Sequence, residues 1–459
     1  MVEKLISTNP SKNYEVIGKV EVSSEKEIRD AVGKANRAKE KWASLGIKER
    51  VKMLSKVYEN FSKRKQELAL LETKEMGMPI SQSLGSVDFG LSYFKWYLEN
   101  AEKCLAPEIT YEDNKSVHEV FYEPIGTAAV ITPWNFPFSN MILGVMPNLV
   151  VGNTVVFKHS EECPLSGKLI EEIMNHSGLP DGVFNEVYGN GKTGDYLVHQ
   201  DINMICFTGS SKVGKYLYEL ASKKFIKAFF ELGGSDPGIV FEDADIDKVL
   251  DSIYSGRFYN CGQVCCALKR LIVHESKFEE VIKKLKAHVE AKKVGNPEDK
   301  STDLGPLVSE KQLILLKDQV KDAVNKGAKI VTGGKSPDNL KGAYYLPTLL
   351  VNVTPDMRIW KEEVFGPVLP IVSFKTEDEA VKLANDTVYG LGSYIFMKDS
   401  KKAARVAEKI KSGVVNINNV DSGIPCNPFG GYKCSGLGRG SGKHGLRELC
   451  QIKAVSMEK

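Results

Sequence analysis

Three cysteines lie close together in the segment FYNCGQVCCALKR, which spans residues 258–270. Cys261 and Cys265 have the spacing of two zinc ligands, but a structural zinc site needs a second pair of ligands, and the sequence offers none. A disulfide would need an oxidising compartment. We therefore expect no metal, and either a nucleophilic thiol or buried cysteines that act as small apolar side chains.

Two polar residues at the ends of apolar segments could assist a thiol nucleophile. Asn135 lies between two prolines in PWNFP, directly after the strand-like segment GTAAVIT, and its amide could stabilise an oxyanion. Alternatively, Asn135 caps the helix that starts near Phe138. Glu231 ends the apolar segment KAFFE before two glycines. Its carboxylate is either a general base with a raised pKa or the partner of a lysine.

Two glycine-rich segments could bind a dinucleotide. VYGNGKTGDYL matches G-x-G-x-x-G at Gly189, Gly191 and Gly194, but a single match does not identify such a site. In FTGSSKVGKYL, a strand ends at Gly209 and Ser210 and a helix follows, so backbone amides could meet a pyrophosphate. The sequence thus offers two places for a nucleotide phosphate.

Alternating strands and helices must position these residues. Residues 23–100 have apolar residues at the three-to-four spacing of amphipathic helices. Residues 104–123 have two β-rich arms around Asp113 and Asn114, which predicts a long hairpin. After Pro124, two series of short apolar runs alternate with helical segments. This alternation predicts an α/β fold with parallel, doubly wound sheets.

Composition restricts the class of protein. Nine cysteines are scattered over 459 residues, which is unlike the disulfide framework of a small secreted protein. The net charge of +3 and the mixed charges along the helices argue against a nucleic-acid partner. No signal-peptide pattern or bilayer-spanning apolar run is visible. We therefore expect a soluble, cytoplasmic protein without a membrane partner.

Seven segments together resemble the aldehyde dehydrogenase superfamily, in the same order and over nearly the whole chain. They are PWNFP, FKHSE, FTGSSKVG, ELGGSDPGIV, GQVC, EEVFGPV and PFGGYKCSGLGRGSGKHGL. The resemblance implies that Cys265 attacks the aldehyde, while Asn135 and the Cys265 backbone N–H hold the oxyanion. Hydride transfer to the nicotinamide then leaves a thioester, which water activated by Glu231 hydrolyses. Cys261 and Cys266 would be bystanders.

The resemblance also implies an NAD(P) cofactor. The cofactor-binding residues expected from the family are Trp134, Lys158, Glu161, Gly209, Ser210, Glu363 and Phe365. Lys158 and Glu161 would contact the adenosine ribose, Ser210 the pyrophosphate, and the last two residues the nicotinamide ribose and ring. Because a carboxylate at Glu161 would repel a 2′-phosphate, we predict NAD. The positive charge of Lys158 would instead attract a 2′-phosphate, so NADP is a second candidate.

The family fold implies three parts. A Rossmann-like cofactor domain would comprise residues 1–103 and 124–232, and an α/β catalytic domain residues 233–428. A β-hairpin oligomerisation arm, residues 104–123, would be joined by the C-terminal tail, residues 429–459. In relatives the arm extends a neighbouring subunit's sheet, so we expect a homodimer or homotetramer.

The length, KHSE and GQVCCALKRLIV look most like the short succinate-semialdehyde dehydrogenases. Those enzymes hold the substrate carboxylate with arginines at tunnel positions that are Leu143 and Tyr259 here. Since an unpaired buried carboxylate is unfavourable, we predict an aliphatic or aromatic aldehyde. Succinate semialdehyde is the alternative, with Arg257 or Lys269 as substitute donors. A CoA-acylating enzyme is a more distant alternative, because those relatives usually lack the glutamate that is Glu231 here.

Overall fold

The computed structural model describes residues 3–419 and 423–459. The strands up to residue 231 are β1 (Lys4–Asn9), β2 (Glu15–Glu21), β3 (Glu108–Glu112), β4 (Ser116–Pro124), β5 (Thr127–Ile131), β6 (Thr154–Lys158), β7 (Phe184–Val187), β8 (Met204–Thr208) and β9 (Lys227–Glu231). The later strands are β10 (Asp236–Val240), β11 (Leu268–His274), β12 (Lys329–Thr332), β13 (Thr348–Val351), β14 (Val368–Phe374), β15 (Tyr394–Phe396), β16 (Asn416–Ile417), β17 (Gly436–Leu437) and β18 (Cys450–Glu458).

Helices account for most of the remaining regular structure. Those before residue 231 are α1 (Glu25–Ser44), α2 (Gly46–Lys63), α3 (Lys65–Met76), α4 (Ile80–Leu105), α5 (Pro137–Val151), α6 (Pro164–Asn175), α7 (Gly191–Val198) and α8 (Ser211–Lys224). Those after it are α9 (Ile246–Phe258), α10 (Phe278–Glu290), α11 (Glu310–Asn325), α12 (Arg358–Lys361), α13 (Glu377–Asn385), α14 (Ser400–Lys409) and α15 (Gly442–Glu448). Short 3₁₀ turns occur at Tyr259–Gly262, Glu275–Lys277 and Lys433–Ser435.

A six-stranded sheet has the order β17-β9-β8-β5-β6-β7, and all its strands are parallel except β17. Its inner strands are apolar on both faces because helices cover both faces. Alternate residues of β6 enter opposite cores: Val155 packs with residues of α4, α5 and α6, and Val156 with residues of α1, α7 and α8. The predicted doubly wound arrangement is confirmed in this sheet.

A seven-stranded sheet follows, in the order β12-β13-β14-β11-β10-β15-β16, with only β12 antiparallel to its neighbour. Residues of α9 and α10 cover one face, and residues of α13 and α14 cover the other. The predicted α/β class is confirmed by both sheets.

The predicted hairpin consists of β3 and β4, and β18 pairs with the other edge of β4. The Asp113 carboxylate accepts hydrogen bonds from the backbone N–H groups of Lys115 and Ser116, both at 2.8 Å, which fixes the turn. Cys104 belongs to α4, so the hairpin begins at Glu108.

Some features differ from the predicted organisation. The β1–β2 hairpin was not predicted. Residues 429–459 contribute to two sheets, because β17 pairs with β9 whereas β18 pairs with β4. A Cβ at Gly436 would lie 2.4 Å from the Phe230 carbonyl oxygen, so a glycine is needed for β17 to approach β9. Residues 1–2 and 420–422, included in the predicted domains, lie outside the described residues. No helix in the described parts of the chain is long and apolar enough to cross a membrane.

Candidate active site

The carboxyl ends of β5, β6, β8 and β9 lie at the same edge of the six-stranded sheet, because these strands are parallel and adjacent. The residues at or just after these ends include Asn135, Lys158, Gly209 and Glu231. Ligands of open α/β sheets bind at this edge. The fold thus brings together candidate residues that are far apart in the sequence.

Cys265 follows a turn with an unusual backbone. Asn260 and Cys261 have φ angles of 50° and 54°, and Gly262 has a φ of 73°. A Cβ at Gly262 would lie 2.3 Å from the carbonyl oxygen of Gly366. Consecutive left-handed residues are rare outside functional loops, so surrounding contacts must maintain this turn.

The thiols beside Cys265 are not equivalent. Cys261 is 1% exposed, and burial raises the pKa of its thiol to about 12, so it stays protonated. Cys265 is partly exposed as a residue, and a contact with the Cys266 thiol, together with burial, holds its pKa above the ordinary value. The Lys269 ammonium acts in the opposite direction. A thiolate at Cys265 therefore depends on nearby positive charge.

The Asn135 side chain is held against the loop that carries Cys265. It is 5% exposed, and its Nδ2 donates a hydrogen bond to the carbonyl oxygen of Gln263 at 3.0 Å. Its Oδ1 accepts from Asn140 at 3.1 Å. The residue before α5 is Phe136, and no side chain caps this helix, so the helix-cap alternative is wrong. The second Nδ2 hydrogen has no acceptor among the described residues.

Glu231 lies at the end of β9, and both its carboxylate oxygens are buried without a hydrogen-bond partner in the described structure. Burial raises the pKa of Glu231 well above the ordinary value, the proximity of Cys265 adds to the shift, and Arg439 opposes it. No lysine forms an ion pair with Glu231 among the described residues, which contradicts the lysine-partner alternative.

Two glycines from the C-terminal part of the chain flank the Glu231 carboxylate. A Cβ at Gly430 would lie 3.2 Å from its Oε1, and a Cβ at Gly440 would lie 3.5 Å from the same oxygen. The carboxylate therefore occupies a small space with glycine walls.

Lys158 and Glu161 form a pair at the end of β6. The Lys158 Nζ donates hydrogen bonds to Glu161 Oε2 and to the His159 carbonyl oxygen, both at 3.1 Å. The Lys158 side chain is only 5% exposed, whereas that of Glu161 is 43% exposed. The group presented to a ligand is therefore mainly the carboxylate. This acceptor fits the ribose hydroxyl of NAD.

Gly209 and Ser210 connect β8 to α8. A Cβ at Gly209 would lie 2.4 Å from the Phe207 ring, so this tight turn requires glycine. The Ser210 hydroxyl accepts a hydrogen bond from the Val213 N–H and caps α8. The N-terminus of α8 thus lies at the same sheet edge, and this geometry fits the pyrophosphate of a dinucleotide.

The other glycine-rich segment has a packing function. A Cβ at Gly189 would lie 1.8 Å from the Thr193 hydroxyl oxygen. The Asn190 side chain caps α7 by accepting a hydrogen bond from the Lys192 N–H at 2.9 Å. The glycine therefore allows α7 to pack against the preceding strand, which is a sufficient reason for its presence.

The model of the aldehyde dehydrogenase family matches residues 2–455. The chain belongs to the aldehyde dehydrogenase family. The resemblance predicted from the seven segments is confirmed. The chain is accordingly an NAD(P)-dependent oxidoreductase that acts on the aldehyde group of its substrate.

Three similar proteins cover nearly the whole chain. The mitochondrial succinate-semialdehyde dehydrogenase of Oryza sativa subsp. japonica is 38% identical over 458 residues, 99% of this chain and 86% of that protein. The NADP(+) succinate-semialdehyde dehydrogenase GabD of Escherichia coli (strain K12) is 35% identical over 98% of this chain and 94% of that protein. A solved betaine aldehyde dehydrogenase from Staphylococcus aureus in complex with NAD+ has a TM-score of 0.95 and 34% identity, covering 99% of this chain and 91% of that one.

In this aldehyde dehydrogenase, the expected substrate-tunnel residues are Leu143 and Tyr259. Leu143 lies on α5 and packs against the main core. The Tyr259 hydroxyl donates a hydrogen bond to the Gln82 carbonyl oxygen at 3.1 Å, and its ring stacks on Phe136 with the centroids 6.2 Å apart. Neither position supplies a cation.

The two substitute donors for a substrate carboxylate are buried, and most of their N–H groups already have acceptors. Arg257 is fully buried, and its guanidinium donates to the carbonyl oxygens of Val364, Gly366 and Val368. Lys269 is 1% exposed and also has its acceptors inside the protein. Binding a substrate carboxylate with Lys269 would break its buried hydrogen bonds. The Arg257 Nη1 has no acceptor among the described residues, but it is buried.

Glu363 and Phe365 adjoin the loop that carries Cys265, which we call the nucleophile loop after the role expected of this cysteine. Glu363 Oε1 accepts hydrogen bonds from the Lys269 ammonium at 2.8 Å and from the Gly234 N–H at 3.0 Å. The Phe365 ring lies edge-to-face with Trp134, with the centroids 5.5 Å apart. The bond between Glu363 and Lys269 was not predicted. The sequence feature that pointed towards this hydrogen bond was the lysine inside the apolar segment ALKRLIV.

Proposed function

We propose that this enzyme oxidises an aldehyde to the carboxylic acid through covalent bonding to Cys265, with Asn135 and Glu231 as its two assisting residues. The observation that carries the proposal is the unpartnered, buried Glu231 carboxylate, which lies within electrostatic reach of the Cys265 thiol. A desolvated carboxylate beside a thiol suits a general base that acts on water.

Each residue has a defined step. The Cys265 thiolate attacks the aldehyde carbon, and the resulting oxyanion accepts hydrogen bonds from the free Asn135 N–H and the Cys265 backbone N–H. When bound, NAD(P) supplies the oxidation by accepting a hydride from that carbon. Glu231 then removes a proton from water, the water attacks the thioester carbon, and Cys265 leaves as the thiolate. The presence of this base argues for water rather than coenzyme A as the acceptor.

The six-stranded sheet would bind the cofactor, and the seven-stranded sheet would support the nucleophile loop. This division follows the predicted domains, with β17 added to the cofactor sheet. We favour NAD over NADP, because the Lys158 charge is already neutralised by Glu161 and the exposed Glu161 carboxylate would repel a 2′-phosphate. NADP is the second candidate, as it is the cofactor in the name of the E. coli relative.

For the substrate, we favour an uncharged aliphatic or aromatic aldehyde. The support comes from the apolar or hydroxylated tunnel positions Leu143 and Tyr259, and from the engagement of Arg257 and Lys269 by buried acceptors. Succinate semialdehyde is the alternative, favoured by the names of the rice and E. coli relatives.

The test compares butanal and succinate semialdehyde by reduced-cofactor absorbance, with NAD and with NADP, and with Cys265→Ala as the blank. We expect butanal with NAD to have the highest kcat/KM. Leu143→Arg should raise kcat/KM for succinate semialdehyde and lower that for butanal, because it supplies the missing countercharge. A hundredfold preference of the wild type for succinate semialdehyde would overturn the substrate assignment while leaving the chemistry intact.

We further propose a homodimer or homotetramer that works in the cytoplasm. The arm sheet exposes apolar side chains such as Ile452, which is 70% exposed, and Phe225 at the end of α8 is 98% exposed. Such residues suit an interface between subunits. All nine cysteines are free within the described structure, which suits a reducing compartment.

A further inference from the structure

Three charged residues form a buried cluster directly behind the nucleophile loop: Asp236 on β10, Lys269 on β11, and Glu363 in the loop before β14. We call them the buried charge cluster. Asp236 and Lys269 are each 1% exposed, and the Glu363 side chain is 19% exposed. The proposed mechanism gives Asp236 and Lys269 no direct contact with the substrate, so their presence in the interior needs another explanation.

Lys269 connects the three parts of the active site. Its Nζ donates to the carbonyl oxygen of Cys265 at 2.6 Å, to that of Gly234 at 2.8 Å, and to Glu363 Oε1 at 2.8 Å. The ammonium has three hydrogens, so all its donors are used. One side chain therefore holds together the nucleophile, the turn after Glu231 and the carboxylate expected at the cofactor.

Asp236 is the member of the cluster without a partner. Both its carboxylate oxygens are buried and form no hydrogen bond to the described residues. A Cβ at Gly234 would lie 2.8 Å from Oδ1, and a Cβ at Gly392 would lie 2.4 Å from Oδ2, so two glycines provide the space for this carboxylate. Burial raises the pKa of Asp236 to about 7, an effect that Lys269, the nearby Gly392 N–H and the more weakly acting Arg270 oppose.

The other charged and titratable groups near Asp236 form no hydrogen bond with its carboxyl group in the described structure. Arg270 is fully buried, and its guanidinium donates to the carbonyl oxygens of Ser235, Leu383 and Ala384. Tyr394, on β15, donates its hydroxyl to the Cys266 carbonyl oxygen. Glu363 is a second carboxyl group, and its proximity raises the pKa of Asp236 further.

The cluster contains one cation and two carboxylates, so only one carboxylate is needed to balance the charge. In this structure Glu363 pairs with Lys269. Glu363 is the more exposed carboxylate and can turn outwards, whereas Asp236 is enclosed by β10 and its neighbours. If Glu363 leaves, Lys269 would be a buried cation without a countercharge, which is strongly unfavourable unless Asp236 ionises.

We propose that Lys269 is a positioning residue for Cys265, and that Asp236 replaces Glu363 as its counterion when Glu363 turns to the bound cofactor. Asp236 thereby loses its proton to the solvent, so cofactor binding releases a proton before any aldehyde is present. This inference rests on the proposed function, because it uses Glu363 as a contact of the cofactor.

The test is calorimetric titration of the full-length enzyme with NAD, without aldehyde, at pH 6.5 in buffers with different ionisation enthalpies. The slope of the binding enthalpy against buffer enthalpy gives the number of protons released. We expect about 0.7 of a proton per bound NAD, since a carboxyl with a pKa near 7 is mostly protonated at this pH. Asp236→Asn should bind NAD without releasing that proton.

Glu72→Gln is the matched control, because Glu72 is another buried carboxyl with a raised pKa but lies on α3, away from the cluster. Its proton release should equal that of the wild type. Release of the same size in Asp236→Asn would overturn the proposal, as would NAD binding by the wild type with no release. Failure of the wild type to bind either NAD or NADP would instead overturn the proposed function, and this inference with it.

A second measurement needs no variant at Asp236. Because binding releases a proton, the Kd for NAD should fall as pH rises towards 7, by up to about tenfold per pH unit. A Kd independent of pH between 5.5 and 7 would contradict the exchange of counterions.

The positioning role of Lys269 is tested by alkylation of Cys265 with iodoacetamide without cofactor, using Cys265→Ala to subtract reaction at other thiols. In Lys269→Met, the pH profile of alkylation should move to higher pH, because the cation that favours the thiolate is gone. An unchanged profile in a folded variant would leave Lys269 with a purely structural role.

Discussion

At the scale of single residues, Glu231 has the environment of a base that acts late in the reaction. Its carboxylate is buried, unpartnered within the described structure, and near Cys265. Glu231→Gln should give a rapid burst of NADH followed by slow turnover, because the thioester forms but is hydrolysed slowly. Stopped-flow absorbance would detect the burst.

The proposed role of Glu231 also predicts how the steady-state kcat depends on pH. Burial raises the pKa of Glu231 above the ordinary value, and a base acts only when deprotonated. Steady-state kcat in the wild type should therefore rise with pH through this raised pKa, and the Glu231→Gln variant should lack that limb of the profile. An equal steady rate in both proteins, with no burst, would argue against this role.

The sequence was sufficient to nominate Asn135 and Glu231 as candidates from their residue types, and the family resemblance selected Cys265 among three neighbouring cysteines. It was insufficient to predict the hydrogen bond between Lys269 and Glu363, which joins residues 94 positions apart. A lysine in an apolar strand shows only that it must find buried acceptors. Which acceptors it finds depends on how the loops fold together.

At the scale of elements, the packing of α3 against α4 buries the carboxyl group of Glu72, which lowers the stability of the folded protein. Burial raises the pKa of Glu72, on α3, to about 8, and the Ser86 hydroxyl on α4 opposes this only in part. In the unfolded chain the pKa of a glutamate carboxyl group is about 4.3. Between these values folding requires Glu72 to take up a proton, so stability falls as pH rises from about 4 to about 8.

Glu72→Gln should therefore stabilise the protein by about 4 to 5 kcal/mol at pH 8 and by less than about 1 kcal/mol at pH 4.5. Denaturant titrations at the two pH values would measure the difference. Glu75→Gln is the control on the same helix, because Glu75 accepts hydrogen bonds from Ser7, Leu165 and Ser166 and its replacement should destabilise at both pH values. A Glu72→Gln gain that is the same at both pH values would contradict the assignment.

The strands β5, β6, β8 and β9 could be predicted because each is a short apolar run between helical segments. The strand β17 could not, because it has two residues and its pairing with β9 depends on a glycine contact far along the chain. The β1–β2 hairpin was missed as well: its strands are largely exposed and polar, so they lack the apolar pattern of the inner strands.

At the scale of the whole molecule, the arm sheet offers its exposed surface for assembly. Ile452, on β18, should be covered by another subunit in the proposed dimer or tetramer. Ile452→Asp should shift the sedimentation coefficient towards the monomer, because it places a charge in an apolar interface. Val16→Asp is the control, since Val16 is 52% exposed on the separate β1–β2 sheet and should leave assembly unchanged. A wild-type monomer would refute the assembly.

The position of Gly430 and Gly440 beside the Glu231 carboxylate has a consequence for biosynthesis. The proposed nucleophile and oxyanion donor, Cys265 and Asn135, are translated earlier. The walls around Glu231 come from residues 430–440, and β17 must reach β9 to bring them there. A chain truncated before residue 430 would contain Cys265, Asn135 and Glu231 but would lack the glycine walls around the Glu231 carboxylate. If Glu231 is the base, we expect complete turnover only after residues 430–440 have been synthesised and packed against β9.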